Sequence, residues 1–283
     1  MKKEKERDWA FLPPKDDFVF KLLFGDERRK ENLAGFLRAV LNLSEQELST
    51  ITIVNPYLLK EYEEDKYGIV DVKIKTILGD SINVEIQVES QTFFRKRIEF
   101  YNAKMLVEPL RDSEEYEQVK RAINVVITNF LLIPESSSYH HCFVRYDKNN
   151  RVQFSDTTEI HVLELKKIPN MSDGTELWDW LRFLKAENKE EFEMIAERSN
   201  AMKNVVSQLE VISQDEKNRM LYEDRLKHRR DEYARLDYKI QEGIQRGMQL
   251  SKQVFKLHLN GKSPEEIAKD CGISVSEVIE ILS

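Results

Sequence analysis

The sequence predicts a mixed α/β core followed by an α-helical C-terminal region. Two patterns predict the core. Residues 69–89 alternate apolar and polar side chains, which is typical of strands, and residues 123–133 form a nearly continuous apolar run, which is typical of a strand buried on both faces. Beyond about residue 168 the strand patterns end and the chain becomes charged and helix-favouring. We therefore place the boundary of the core near Pro169 to Asp173.

Composition limits the class of protein. At 283 residues the chain is long enough for one sizeable core with appended pieces. The net charge of −7 argues against broad, non-specific coating of nucleic acid, but an enzyme acting on DNA needs only local basic patches. There is no run of about 18 apolar residues and no apolar core of a secretory signal, so we expect a cytoplasmic protein without a membrane segment. Cys142 and Cys271 indicate neither a disulfide framework nor a paired-cysteine metal site.

The N-terminal part of the core is predicted to be helical. Residues 17–42 read as two helices separated by a turn around Gly25-Asp26, because apolar residues recur at helical spacing. Residues 51–62 look extended. A further helical pattern covers residues 91–110, directly after the alternating segment, and it opens with a basic cluster at Arg95–Arg97.

The alternating segment reads as a hairpin. Its strands are residues 69–78 and 82–89, joined by a three-residue loop, Gly79–Ser81. This loop length pairs Leu78 with Ile82 and Ile74 with Ile86, which places both apolar sets on one face of the hairpin.

The region from residue 140 to residue 165 predicts three short strands, with turns at Asp147–Asn150 and Ser155–Asp156. His140–Cys142 contains two histidines and a cysteine in succession. Adjacent residues on a strand point to opposite faces, so we do not expect these neighbours to chelate one ion.

The C-terminal region divides into three segments after the predicted core of residues 1–170. Residues 171–230 read as helices packed on the core or beside it, and residues 231–260 as one long amphipathic helix. Apolar residues and two glycines recur along residues 236–257 with steps of four and three, the spacing of a helix-pairing seam. The seam predicts a homodimer, since close approach of a partner helix would account for glycines that otherwise weaken a helix.

Residues 261–283 read as a compact helical pair with helix-turn-helix spacing. A second helix that reads DNA bases should offer basic or amide side chains. The predicted second helix, Val275 to Leu282, offers Ser276, Glu277 and Glu280 instead. We therefore favour a packing or partner-binding module over a DNA reader.

The polar face of the hairpin is the candidate site. Side chains alternate along a strand, so Asp71 and Lys73 share a face with Glu85 and Gln87 of the second strand. An amphipathic hairpin with one face in water explains the pattern equally simply. Two carboxylates on adjacent strands can, however, hold Mg²⁺, which prefers oxygen ligands and supports phosphoryl displacement by water. The basic helix and the buried strand that follow favour this second interpretation.

The chain resembles the PD-(D/E)XK nuclease family transposases, also called recombination-promoting nucleases. The resemblance covers about Asp17 to Lys167 and lies in the stretches DFVFKLLFG (17–25), IVDVKIK (69–75), INVEIQVE (82–89), RKRIEFYNAKM (95–105) and EIHVLELKK (159–167). It implies a restriction-endonuclease-like mixed sheet flanked by helices. It also implies an active site with an Asp on one strand and Glu-x-Gln or Glu-x-Lys on the next. By position, Asp71 and Glu85 are the expected ligands of Mg²⁺, with Mn²⁺ or Ca²⁺ as other candidates.

Gln87 stands where the wider superfamily usually has a lysine. A lysine there orients the attacking water and offsets negative charge in the transition state, whereas glutamine donates a hydrogen bond without a positive charge. Either this branch uses glutamine natively, or another cation substitutes. Lys73 and Lys21 are the candidates for that substitution, and Lys21 is also a candidate for contacting substrate phosphate.

The resemblance assigns further roles on the helix after the hairpin. Arg97 is expected to contact substrate phosphate, and Tyr101, one turn later on the same face, to order water. Packing of Tyr101 in the core beside Phe100 explains the residue equally well. Asp17 reads as a helix N-cap and Glu164 as a structural residue.

These features predict a metal-dependent DNA endonuclease that acts as a homodimer through the 236–257 helix, so that two active sites cut both strands. The resemblance implies a role in DNA recombination, mobile-element biology or defence against phage. A different class also fits: a catalytically silent nuclease-fold scaffold that binds DNA or protein, which the absent lysine and the negative net charge favour. A helix-turn-helix regulator that reads DNA through residues 261–283 is a third hypothesis.

Overall fold

The computed structural model describes residues 11–41, 43–54, 72–108, 116 and 119–283. The chain divides into two compact units, Met1–Arg219 and Met220–Ser283. In the first unit the described residues form a six-stranded mixed sheet with flanking helices, and the second unit is helical. The predicted α/β core with a helical C-terminal region is therefore confirmed.

The first unit begins with three helices: α1 (Asp17–Phe24), α2 (Lys30–Leu41) and α3 (Glu45–Ser49). Asp16 is the N-cap of α1, because its side chain accepts a hydrogen bond from the Phe18 amide at 3.1 Å. The prediction that Asp17 is the N-cap is wrong by one residue, although Asp17 also accepts from that amide at 2.9 Å.

The sheet contains β1 (Thr52–Ile53), β2 (Val72–Lys75), β3 (Ser81–Gln87), β4 (Ala122–Thr128), β5 (His140–Tyr146) and β6 (Gln153–Glu164). Its spatial order is β1-β2-β3-β4-β6-β5. The central neighbours β3, β4 and β6 run parallel, and the remaining pairs are antiparallel. Every residue of β4 is buried, as its continuous apolar run predicts. Most of the predicted extended segment 51–62, from residue 55 on, lies outside the described residues.

The hairpin forms, but in a different register from the one predicted. Ile74 pairs with Ile82 rather than with Ile86, and Leu78 lies exposed in the turn. The turn is longer because Thr76 and Asp80 close it with a pair of backbone and side-chain hydrogen bonds at 3.1 Å. Asp80 in turn accepts hydrogen bonds from the backbone and guanidinium of Arg121, which fixes the start of β3 beside β4.

The predicted turn at Ser155–Asp156 is also wrong, since β6 runs unbroken through both residues. These polar residues lie in the part of β6 that precedes its pairing with β4, where the strand is largely exposed and needs no apolar alternation. The turn at Asp147–Asn150 is present, and the Asp147 carboxylate accepts from the Asn149 amide at 3.0 Å.

The two faces of the sheet carry different layers. The helix after the hairpin, α4 (Phe94–Val107), covers one face, which we call the α4 face. Phe94 and Ile98 of this helix form an apolar cluster with Val126, Phe130, Leu132, Ile160 and Val162. On the opposite face, which we call the α1 face, α1 packs against the apolar side chains of β3 and its neighbours. The described part of the first unit also contains three further helices, α5 (Glu176–Lys185), α6 (Lys189–Ala196) and α7 (Asn200–Gln214).

A long helix, α8 (Glu216–Leu259), leads into the second unit and begins well before the predicted residue 231. It is followed by α9 (Pro264–Cys271) and α10 (Val275–Leu282), each opened by a serine capping box. Gly272 has a φ of 67°, which a glycine adopts without strain in the turn between them. Val254 of α8 is fully buried against Ile267 and Val278 of this pair. Among the described residues, no helix is long and apolar enough to span a membrane.

Candidate active site on the central sheet

Glu85 is the central residue of the candidate site. It lies in β3 on the α4 face, and only 7% of its surface is exposed. A carboxylate at this depth needs a charged or hydrogen-bonding partner. Asp71, the other expected metal ligand, lies outside the described residues. Val72, which follows it in the sequence, pairs with Val84, which precedes Glu85.

Arg97 provides the partner. Its guanidinium forms an ion pair with the Glu85 carboxylate and a hydrogen bond to Gln91. The same group lies over the ring of Phe94, 5.0 Å from its centre, which holds the side chain flat against the start of α4. The Arg97 side chain is 37% exposed, so the guanidinium that pairs with the buried Glu85 carboxylate also reaches solvent. Within the described part of the chain, the buried Nε of Arg97 has no hydrogen-bond partner.

Gln87 and Lys73 lie on the same face as Glu85. Gln87 is half-buried at the end of β3, and its amide nitrogen donates to the Glu89 carbonyl at 3.2 Å. The amide donor is therefore used locally, within the strand end. Lys73 is exposed and lies opposite the buried Asn83 in the hairpin register.

Tyr101 lies one turn beyond Arg97 on α4 and is 46% exposed. Its ring contacts Phe100 at 5.6 Å between centres, and Phe100 is itself exposed. Packing of Tyr101 in the core is therefore wrong. An exposed phenol on the helix that carries Arg97 is open to a substrate or to water.

Lys21 is buried, unlike a lysine that simply reaches out to solvent. Its carbonyl and side chain enclose Gly25, where an added Cβ would lie 2.8 Å from the Lys21 carbonyl oxygen and 3.6 Å from the Val72 side chain. Gly25 thus lets α1 end directly against β2. This packing brings the Lys21 stem to the strand that follows Asp71 in the sequence.

Two buried asparagines fix α4 on the sheet, and the sequence analysis did not identify them. Asn102 donates to the carbonyls of Ala122 at 3.0 Å and Glu159 at 3.3 Å, and so spans β4 and β6. Asn124 of β4 donates to the Ile98 carbonyl at 3.4 Å. These bonds set the position of the helix that presents Arg97. Asn124 is signalled in the sequence as a polar residue inside an otherwise apolar run, whereas Asn102 lies in a mixed helical stretch without such a signal.

Glu164 is a second buried carboxylate on the α4 face, at the end of β6. It accepts from the amides of Leu132 at 2.7 Å and Ile133 at 3.2 Å and pairs with Lys167 at 2.5 Å. These partners hold the loop after β4 in place. The contacts fit the structural role expected for Glu164.

A separate polar cluster lies on the α1 face, where β5 meets β6. Cys142 pairs with His161 across the two strands, and Glu159 precedes His161 by one strand period. The Nε2 of His161 lies 3.6 Å from the Cys142 sulfur and 3.3 Å from a Glu159 oxygen. His140 and His141 point to opposite faces, as expected, so the cluster is formed across strands and not by sequence neighbours.

The histidines of this cluster have shifted pKa values. Burial opposes the charged form of His161, but hydrogen bonds to Cys142 and Glu159 outweigh it and raise its pKa to about 9. Burial and the positive charge of His161 lower the pKa of His140 to about 4. The hydrogen bond from His161 lowers the pKa of the Glu159 carboxyl group. At neutral pH the cluster therefore carries one imidazolium, at His161, and His140 is neutral.

The Glu85 group has the chemistry of a magnesium site. Carboxylate oxygen is the ligand that Mg²⁺ prefers, and a buried carboxylate whose present partner is a partly exposed arginine can exchange that partner for a metal ion. Glu85 thus offers one suitable ligand to a divalent metal, and Asp71, the second expected carboxylate, lies 14 residues earlier in the sequence and outside the described residues.

Comparison with known proteins identifies the family. A family model described as PD-(D/E)XK nuclease family transposase matches residues 14–239. The match includes the entire described sheet and helices α1 to α7. No curated protein and no solved structure matches the chain. Nucleases of the PD-(D/E)XK type generally use divalent metals. The family model covers well over half of the sequence, and the chain belongs to the PD-(D/E)XK nuclease family transposases.

Proposed function

We propose that this protein is an endonuclease that hydrolyses phosphodiester bonds in DNA with a divalent metal, Mg²⁺ or Mn²⁺, held by Asp71 and Glu85. Membership of a nuclease family supports the reaction class. The observation that carries the proposal is the buried Glu85 carboxylate, whose charge is balanced by the partly exposed Arg97. A bound metal would supply an activated water and stabilise charge on the phosphoryl group.

Arg97 has two successive roles in this proposal. Without metal, its guanidinium neutralises Glu85 and keeps the buried carboxylate from being isolated. When other positive charge balances Glu85, Arg97 can turn to the substrate phosphate, for which its planar fork is well suited. The exposed part of the side chain gives phosphate access to it.

Arg97 also explains why glutamine is sufficient at position 87. The lysine that the wider superfamily has at this position would bring a positive charge beside Glu85. Here the guanidinium of Arg97 brings that charge from α4. Gln87 then needs only to orient water through the amide hydrogen that is not bonded to Glu89, and Lys73 and Lys21 add positive charge around β2. Tyr101, exposed one turn from Arg97, is placed to hydrogen-bond the ordered water or a phosphate oxygen.

The test is nicking of supercoiled plasmid DNA with Mg²⁺ or Mn²⁺. We expect Asp71→Asn and Glu85→Gln to reduce cleavage by at least about 100-fold, since each removes a charged metal ligand. The matched control is Glu89→Gln, an exposed carboxylate two residues beyond Gln87. Equal cleavage by the wild type and both site variants would refute the assignment.

A catalytically silent scaffold is the second candidate. The observation that favours it is the Arg97–Glu85 ion pair itself, which balances the buried charge without any metal. A scaffold would bind DNA equally well with or without divalent metal and leave the plasmid intact. Binding that requires metal and is followed by nicking would exclude it.

We also propose that the chain forms a homodimer through α8. Leu236 and Ile240 on this helix are exposed, at 50% and 59%, and nothing lies within 4 Å of a Cβ added to Gly243 or Gly247. The last part of the predicted seam is not available, because Val254 is buried against α9 and α10 of the same chain. The interface is therefore limited to residues 236–247.

Light scattering tests the dimer. We expect a dimer for the wild type and a monomer for Ile240→Glu, because a charge in an apolar helix seam opposes pairing. The control is Glu242→Gln on the same helix, whose side chain pairs with Arg246 of its own chain. A monomeric wild type at concentrations well above working ones would contradict the proposal.

The family description supports DNA recombination or mobile-element biology as the setting, with defence against phage as a further candidate. If the nuclease drives recombination, cells carrying Glu85→Gln should show the recombination frequency of cells without the gene. Phage plating on the same two strains tests the defence role.

A further inference from the structure

The cluster at the β5–β6 junction contains three groups that bind metals in proteins: a thiol, an imidazole and a carboxylate. Ligand atoms of Cys142, Glu159 and His161 all lie within 4.8 Å of one another. The imidazole of His161 is buried, the Glu159 side chain is mostly buried, and Cys142 is exposed. His161 and Glu159 thus form the buried side of the group, and an ion can enter from the exposed side at Cys142.

The two separations that involve His161 match tetrahedral coordination, and the Cys142 sulfur and the Glu159 oxygen lie within 4.8 Å of each other. For bonds of about 2.3 Å to sulfur and about 2.05 Å to nitrogen, a tetrahedral angle places the two ligand atoms about 3.6 Å apart. The Cys142 sulfur and the His161 Nε2 are 3.6 Å apart. For a carboxylate oxygen at about 2.1 Å from the ion, the expected distance to nitrogen is about 3.4 Å, close to the 3.3 Å between Glu159 and His161.

His140 already makes the contact that orients a metal-bound histidine. Its Nε2 lies 2.9 Å from the Nδ1 of His161. If His161 keeps a proton on Nδ1 and donates it to His140, its Nε2 is directed at Cys142 and Glu159. The two rings are also stacked, with centres 5.2 Å apart, which restricts rotation of the His161 ring.

Metal binding displaces the proton from the His161 Nε2, and the charges that then remain around the cluster favour a cation. Arg121 lies 3.8 Å from the outer oxygen of Glu159, but it also pairs with Asp80 at 3.0 Å and lies 4.0 Å from Glu47. Three carboxylates therefore surround one guanidinium. Deprotonation of Cys142 on metal binding would add a further negative charge.

We propose that Cys142, Glu159 and His161 bind a Zn²⁺ ion, with water in the fourth position. A thiolate together with an imidazole favours Zn²⁺ over Mg²⁺, which prefers oxygen ligands. The ion would join β5, an edge strand of the sheet, to β6. This site lies on the α1 face and is separate from the Glu85 group on the α4 face.

Cobalt titration of the full chain, after treatment with a chelator, tests the site. Co²⁺ bound by a thiolate gives a sulfur-to-metal charge-transfer band. We expect this band in the wild type and in Cys271→Ser, which changes the other cysteine in the second unit. Cys142→Ser should lose the band, and His161→Gln should weaken Co²⁺ binding by at least about tenfold. Glu85→Gln should retain the band, so a failure of the nuclease proposal would not be mistaken for a failure of this one.

Zinc competition and thermal unfolding complete the test. Zn²⁺ should displace Co²⁺ at one equivalent and raise the Tm of the wild type but not of Cys142→Ser. His140→Ala should retain the band and bind Zn²⁺ about 10–100-fold more weakly, the usual cost of losing the partner of a ligating histidine. A folded wild type without the band, or a band unchanged in Cys142→Ser, would overturn the proposal.

Discussion

The two polar clusters of this sheet lie on opposite faces and differ in chemistry. The cluster on the α4 face joins the Glu85 carboxylate to the guanidinium of Arg97. The cluster on the α1 face joins sulfur, nitrogen and oxygen ligands of Cys142, Glu159 and His161. The first contains oxygen ligands and a basic residue suited to phosphate, and the second contains ligands suited to a transition metal. The two clusters have no residue in common.

Strand β6 shows how the separation arises. Its side chains alternate, so Glu159 and His161 point to the α1 face while Val162 faces α4. Glu164, also on the α4 face, is fully satisfied by backbone amides and Lys167. The two buried carboxylates on the α4 face therefore differ in their partners. The partner of Glu85 is the partly exposed Arg97, which can turn to another ligand, whereas backbone amides and Lys167 hold Glu164 in place.

The largest expected effect tests this difference. Glu164→Gln should reduce the free energy of unfolding by about 3–5 kcal/mol, because it leaves the buried Lys167 ammonium without its counter-charge. Urea unfolding measures the change. Cleavage per folded molecule should stay at the wild-type level. The control is Glu135→Gln, which removes an exposed pair with Arg95 and should leave the free energy of unfolding nearly unchanged. Similar losses in both variants would show that Glu164 is no more structural than a surface residue.

The second test removes the cation of the α4 cluster. Arg97→Ala should reduce kcat for cleavage by about 100-fold, because the preorganised positive charge beside the reacting phosphate is lost. Lys96→Ala, at the neighbouring position, removes a cation that lies over the exposed Phe93 ring. It should change kcat by less than about threefold. Equal effects of the two substitutions on kcat would show that Arg97 contributes only as one of several surface charges and has no specific role beside Glu85.

The shared face of Glu85 and Gln87 could be predicted because the two residues are close in the chain, whereas Asp71 lies outside the described residues and its place at the site stays a prediction. Glu85 and Gln87 share a strand, and the helix that carries Arg97 follows directly. Strand alternation alone then predicts the shared face. The exact partner was not predicted: Lys73 and Lys21 were the candidates for the missing positive charge, and the ion pair of Glu85 with Arg97 follows from the docking of α4.

The cluster of Cys142, Glu159 and His161 on the α1 face could not be predicted from alternation within one strand. It depends on the register between β5 and β6, which brings Cys142 beside His161. A strand register is difficult to predict from sequence, as the hairpin shows. Closure of its turn by Thr76 and Asp80 pairs Ile74 with Ile82 instead of with the predicted Ile86. The overall fold was easier to predict, because a long apolar run such as β4 indicates a buried strand without any knowledge of its register.

The pH dependence of stability tests the α1-face cluster in metal-free protein. The folded pKa of His161, about 9, lies above the ordinary value, so its contribution is present below about pH 6.5 and is lost as the pH rises through 9. The folded pKa of His140, about 4, lies below the ordinary value, so its contribution is lost as the pH falls from about 6.5 through 4. Stability should therefore be greatest near pH 6.5.

Urea unfolding at about pH 5, 6.5 and 9 measures this effect. We expect a decrease on the order of 2 kcal/mol on the alkaline side, which His161→Asn should abolish. The groups facing His161 are His140 and Cys142 of β5 and Glu159 of its own strand, with Arg121 beyond Glu159. His258→Asn, in the second unit, should keep the wild-type profile. A flat profile in the wild type would show that folding does not shift the pKa values of the two histidines in opposite directions.

The smallest expected effect concerns Gln87, which stands where the wider superfamily usually has a lysine. Gln87→Lys should change cleavage by less than about tenfold, or about 1.4 kcal/mol, because Arg97 already supplies a positive charge at Glu85. The same change in an Arg97→Ala background should restore much of the lost activity, since the new ammonium then replaces the missing guanidinium. Gln87→Ala in that background is the matched control and should not restore it. If Gln87→Lys raises cleavage equally with and without Arg97, the two cations act independently, and the arginine does not stand in for the lysine.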